Sequence, residues 1–202
     1  MAKPSLSHSQ NPTHLVWLDL EMTGLNPDEH TILEIATVVT NSQLEILAEG
    51  PSLAIHQDVG TLNRTEKWSR KTHTRSGLMK RVEESSVSMG QAEAETLAFI
   101  RQYCPPKVSP LCGNSIGHDR RFLVKYMPEL FEYFHYRNID VSTLKELVLR
   151  WYPKGPKLPK KQGVHLASED IHESIQELVF YRKHYFISEL PAAAKGTKVV
   201  IS

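Results

Sequence analysis

Cysteine is scarce in this 202-residue chain: Cys104 and Cys112 are the only two, and no CxxC pair is formed. A disulfide framework and a thiolate zinc site are thereby excluded as organising features, and a reducing cytoplasm is the expected compartment. Long apolar runs are also missing; none approaches the ~18 residues of a membrane span. The opening stretch MAKPSLSHSQNP has neither the apolar centre of a secretory signal nor the Arg-rich character of a transit peptide. Charge of one sign is absent too. Lys+Arg number 24 against 23 Asp+Glu, a formal net charge of +1. That balance argues against a broad grip on duplex nucleic acid, which needs extensive phosphate neutralisation, but leaves room for a local basic site. What is present is ordinary for a globular protein: 40% hydrophobic and 23% charged residues.

Residues 1–13 are polar and are expected to form a loose arm, residues 14–187 a single domain, and residues 188–202 a weakly packed tail. His14–Glu21 (HLVWLDLE) reads as a mostly buried strand, followed by the turn signal Thr23-Gly24-Leu25-Asn26-Pro27. Thr31–Thr40 and Glu45–Ile55 continue as strands, the latter bent near Pro51; such short connections predict antiparallel neighbours. The basic stretch Leu62–Arg81 has no clear period. Helical spacing follows over Gly90–Tyr103, Asp119–Met127, Val141–Trp151 and Asp170–Tyr185, with short strands at Pro110–Gly113 and Tyr136–Asp140. Strands first, then strands alternating with helices, predict a three-layer α/β domain with a mixed sheet. Trp17 and Trp151 read as core aromatics. Seven histidines, including His30 and His73, lack ligand spacing and read as surface residues.

Three places could carry chemistry. Asp19 and Glu21 are two apart on a strand, so they project to one face roughly 6–7 Å from each other. Paired carboxylates repel unless a proton or cation joins them, and an oxygen-only donor set suits a hard divalent ion; two solvated acids at a strand end is the bland alternative. Asp119 follows the turn Gly113-Asn114-Ser115-Ile116-Gly117-His118, where it is either a helix cap or a ligand. His165 and Asp170 precede and open the last helix. They form either a capping arrangement, or a metal ligand with a mobile histidine that takes a proton from water. Glu34, inside an apolar strand, is a candidate partner for a metal ligand or a hydroxyl.

The order D-x-E, mid-chain Asp, then H-x4-D resembles the DEDD exonucleases, RNase H-like 3′→5′ nucleases, in their His-containing branch. The stretches WLDLEMTGL, ILEIA, ILAEGP, THTRSGL, GNSIGHDRRFLVKYMPEL, FHYRNIDVSTLKEL and DIHESIQEL are similar to the bacterial oligoribonuclease family from about Leu15 to Tyr185. The resemblance implies an RNase H-like (DnaQ-like) fold. It further implies that Asp19, Glu21, Asp119 and Asp170 bind two Mg²⁺ or Mn²⁺ ions and that His165 is the general base. By the same resemblance, Leu25 and Trp68 form a wedge that stacks the bases of a very short substrate, and Ser115, Arg137 and Ser142 cap its 5′ phosphate. Tyr136 is implied to reach that site from the partner subunit of a homodimer. The implied substrate is short single-stranded RNA, down to dinucleotides, released as 5′-mononucleotides. Rival readings are a related nuclease that trims longer DNA or tRNA 3′ ends, and a non-catalytic small-nucleotide-binding module. His118 stands where the family usually has Gln, and Glu169 where it usually has Asp.

Overall fold

The computed structural model describes residues 10–158 and 167–186. Three strands come first: β1 (Leu15–Met22), β2 (Ile32–Thr40) and β3 (Ile46–Ala54). Three short helices follow, α1 (Val59–Asn63), α2 (Lys67–Arg75) and α3 (Leu78–Glu84), then α4 (Met89–Ile100). The second half runs β4 (Leu111–Gly113), α5 (Gly117–Tyr126), α6 (Pro128–Tyr133), β5 (Asn138–Asp140), α7 (Val141–Trp151) and α8 (Ala167–Tyr185). The sheet order is β3-β2-β1-β4-β5. β1–β2 and β2–β3 pair antiparallel, whereas β1–β4 and β4–β5 pair parallel. The expected mixed sheet between helical layers is what forms.

All nine residues of β2 are buried, which is why TILEIATVVT reads as an unbroken apolar run rather than an alternation. β1 alternates. Val16, Leu18 and Leu20 join a core with Ile35, Val39, Phe122 and Leu123, while Trp17 joins another with Val38, Ile171 and Ile175. The indole of Trp17 is satisfied by donating to Thr40 Oγ1 at 3.0 Å. β3 is an edge strand, so Pro51 costs no ladder bond to a further neighbour. The β2–β3 register shifts between Ala36 and Val38, opposite Gly50 and Pro51, where the bend was expected. The aperiodic stretch Leu62–Arg81 is broken into pieces of three short helices, with Leu62, Leu78, Met79 and Val82 covering Leu33.

Several expectations need correction. Trp151 is 66% exposed, because burial fades along α7 from Val141 through Leu144 and Val148 to the helix end. His30 and His73 are buried, not on the surface. The His30 ring fills the space where a Cβ on Gly24 would lie, 2.5 Å away, so any larger residue at 24 would have to displace that buried ring. The last strand is shorter than expected, leaving Tyr136 and Arg137 in the approach to β5. Residues 10–13 of the proposed arm are tied to the end of α4, with Asn11 N–H donating to the Tyr103 carbonyl at 3.0 Å. Residues 1–9 of the arm, residues 159–166, the last residue of the expected domain (187) and the tail 188–202 lie outside the described residues.

Candidate active site

Asp19 and Glu21 share the face of β1 that carries Trp17, so they point into the layer occupied by α8. Asp170, in the first turn of α8, meets them there: one oxygen from each of Asp19, Glu21 and Asp170 lies within 4.8 Å of the others. Asp119 enters from the side, on the first turn of α5. It is not a helix cap, since Ile116 holds that position without a side-chain bond. Instead Asp119 is buried, and its Oδ1 accepts from the Leu20 N–H at 2.9 Å, between the two strand acids. A helix-cap role is therefore excluded for Asp119, and Asp19, Glu21 and Asp170 are half-buried and drawn together rather than separately solvated. His165 lies outside the described residues.

Electrostatics mark the cluster. Burial first, then repulsion from Asp119, Glu21, Asp170 and Glu34, holds Asp19 well above the ordinary carboxylate range. Burial also pushes Glu21 up to about 8, with Asp170, Glu34 and Asp119 adding to the rise and Arg81 opposing it. Asp119 is pushed up to about 7 by burial, against the lowering effect of the Leu20 amide. The carboxylates of Asp19, Glu21 and Asp170 crowd together with Asp119 beside them, an arrangement that a divalent cation would relieve. Their all-oxygen donor set fits a hard ion.

Two residues that the sequence did not flag support Glu21. The buried His73 on α2 places Nδ1 3.7 Å from Glu21 Oε2, and its Nε2 is 3.0 Å from the Met22 carbonyl. Arg81 on α3 reaches Glu34 Oε1 at 2.5 Å, and Glu34 pairs across the ladder with Glu21. Glu34 also lies 3.5 Å from the Ser52 hydroxyl. The buried face of α2 (Ser69, Thr72, His73) was a usable signal for His73, hidden by its polarity.

Leu25 and Trp68 are 53% and 66% exposed. The Glu66 N–H donates to the Thr23 carbonyl at 2.8 Å, so the loop carrying Leu25 is tied to the start of the helix carrying Trp68. Ser115 and Ser142 are also brought together. They line a cavity of about 310 Å³ with His118, Arg121 and Asp140. Asp140 Oδ1 accepts from Ser115 N–H at 2.9 Å, Ser142 N–H at 3.0 Å and Ser142 Oγ at 2.6 Å. The Asp140 contact holds Ser115 at φ 52°, in the left-handed region a serine seldom adopts. Arg137 does not line this cavity; its guanidinium sits over the Tyr136 ring, 5.3 Å from the centroid. Tyr136 is 71% exposed and borders a separate hollow with Phe131 and His135.

A mixed sheet with the order 3-2-1-4-5, flanked by helices and presenting clustered carboxylates from its first strand, defines an RNase H-like nuclease of the DnaQ exonuclease type. The sequence matches the RNase T exonuclease family over residues 16–178. Solved structures of exonuclease I share the fold: that of Methylocaldum szegediense has a TM-score of 0.60 at 17% identity over 84% of this chain. The E. coli enzyme in complex with an oligonucleotide has a TM-score of 0.63 at 13% identity over 85%. This chain spans about two-fifths of those longer chains (40% and 41%). The oligoribonuclease of Pseudoalteromonas atlantica is 60% identical over 173 residues, covering 86% of this chain and 96% of the relative. That of Pseudomonas aeruginosa strain PAO1 is 57% identical over 176 residues, covering 87% and 98%. The chain belongs to the oligoribonuclease family. Among the described residues, no helix is long and apolar enough to cross a membrane.

Proposed function

We propose that this protein hydrolyses short RNA from the 3′ end, preferring dinucleotides, and releases 5′-mononucleotides. The observation that carries the reading is the convergence of Asp19, Glu21 and Asp170 within 4.8 Å, with Asp119 anchored beside them on the β1 backbone. Asp19, Glu21, Asp119 and Asp170 would hold two divalent cations, Mg²⁺ or Mn²⁺. Such ions supply charge neutralisation and Lewis acidity at the scissile phosphate.

The chain's own residues do the rest. Leu25 and Trp68 offer exposed apolar surface on which bases stack without being identified. Ser115 and Ser142, organised by Asp140, receive the 5′ phosphate; Arg137, outside their cavity, would add charge by turning from the Tyr136 ring toward it. His165 takes the proton from the attacking water. Water attacks phosphorus in line, the bond to the upstream 3′ oxygen breaks, and that oxygen leaves with a proton. The 5′-mononucleotide departs. A capped site on so short a substrate needs few cations, in keeping with a net charge of +1. Tyr136, exposed beside Arg137 and outside the Ser115–Ser142 cavity, would serve the site of a second copy in a homodimer.

The test is a time course with 5′-labelled RNAs of two and seven nucleotides in Mn²⁺, beside Asp119→Ala. Rapid cleavage of the dinucleotide, slower decay of the heptamer and an inactive variant are expected. Preferential trimming of the heptamer would discard the phosphate cap. Tight dinucleotide binding without cleavage would make the protein a sensor.

A further inference from the structure

The strand acids are held by the sheet, but Asp170 stands on a helix, whose axial position against the sheet is set by side-chain contacts. A shift of about 1 Å at a reacting centre is costly. α8 therefore needs something more directional than its apolar face to fix where Asp170 sits.

Asn114 supplies it. It follows β4 and begins the turn that delivers Ser115 and Asp119. Its Nδ2 donates to Ser174 Oγ at 2.8 Å and to Glu177 Oε2 at 3.2 Å, two residues on successive turns of α8. Ser174 Oγ in turn donates to the Asp170 carbonyl at 2.8 Å. At the far end, Tyr181 OH donates to Glu177 Oε1 at 2.9 Å. Ser174, Glu177 and Tyr181 are all buried. Burial, with Glu177 beside it, pushes the Tyr181 phenol above its ordinary range, so the hydroxyl keeps its proton and remains a donor. An amide N–H₂ has two donors, and both are used here across one gap.

We propose that Asn114 is a positioning residue for the carboxylate cluster: its amide locks the turn carrying Asp119 to the helical turn carrying Asp170. The inference rests on the reading that these carboxylates hold a divalent cation. Hydrogen bonds in a buried network have defined lengths and directions, so they set the rotation and register of α8 more sharply than apolar packing does. Groups behind a metal's ligands commonly govern its affinity.

The experiment is calorimetric titration of Mn²⁺ into the metal-free full-length protein, with thermal unfolding measured in parallel. The variants are Asn114→Ala and Ser174→Ala, with Tyr133→Phe as a control that removes a hydrogen bond to the Cys104 carbonyl elsewhere. Asn114→Ala should weaken Mn²⁺ binding about tenfold or more, and raising Mn²⁺ should restore most of kcat. Ser174→Ala, which cuts the same path, should act in the same direction and less than additively with Asn114→Ala. Tyr133→Phe should lower Tm without moving Mn²⁺ affinity. Mn²⁺ affinity within about twofold of wild type in both α8-path variants would overturn the assignment. Should Asn114→Ala fail to fold, Ser174→Ala decides alone. A wild-type protein that binds no Mn²⁺ would instead remove the metal reading itself.

Discussion

Glu34 sits directly across the β1–β2 ladder from Glu21, and Arg81 on α3 reaches over to it, Nη1 to Oε1 at 2.5 Å. One buried carboxylate is thus compensated while its neighbour is left for the cluster. Arg81 is 41% exposed in its side chain, so part of its charge is screened, whereas the Glu34 side chain is 2% exposed. Arg81→Gln should destabilise by about 1–3 kcal/mol, because Glu34 keeps its burial and loses its cation. Glu34→Gln in the same chain should recover much of that loss. Urea unfolding of the two single variants and the double variant measures this; strictly additive losses would refute the coupling.

A pH dependence follows from the raised carboxylates. Glu21 at about 8 and Asp119 at about 7 bind protons in the folded chain that the unfolded chain releases near its ordinary carboxylate range, about pH 4. Their contribution to stability is therefore fullest below that range and is lost as pH rises through about 7 and 8. In EDTA, the urea midpoint should be lower at high pH than at mildly acidic pH, and Glu21→Gln should reduce the difference. Mn²⁺ should reverse it by replacing the protons.

Trp68 and Trp151 are equally exposed, at 66%, but differ in setting. Trp68→Ala should weaken dinucleotide binding by about 1–3 kcal/mol, the value of a base–aromatic stack, with little change in Tm. Trp151→Ala should alter neither. Equilibrium binding to catalytically inactive Asp119→Ala background protein distinguishes them; equal effects would deny Trp68 a stacking role.

Asp140 caps α7 and gathers Ser115 and Ser142. Asp140→Ala should cost about 1 kcal/mol from the lost cap. It should also raise KM for a 5′-phosphorylated dinucleotide more than it lowers kcat. Asp140→Asn, a capable cap, should restore stability first. A variant with unchanged KM would separate this cavity from the substrate.

His165→Ala should retain dinucleotide affinity and lose turnover by about 10²–10⁴-fold, as expected for a general base. Wild-type activity at saturating metal should fall as pH drops through about 6–7. Parallel loss of binding and turnover would assign His165 a structural part.

The strands, the layered α/β class and the candidate acids can be read from the residues alone, because these depend on local period and on which residue types tolerate burial. HLVWLDLE can place Asp19 and Glu21 on one face with no knowledge of the rest of the chain. Asp119 and Asp170 were legible as candidates from their motif order, but their competing roles as caps were not resolvable locally. That the Asp119 carboxylate accepts the Leu20 amide, and that Asp170 meets the strand acids, emerges only when the elements pack. Packing also makes neighbours of the cluster out of His73, which reads as a surface residue, and Asn114, which reads as part of a turn. Such contacts join segments about 50 to 150 residues apart, from Met22 with His73 (51) and Leu20 with Asp119 (99) to Asp19 with Asp170. Period and propensity report a residue's own element, whereas the partner of a buried polar group is chosen by how whole elements pack.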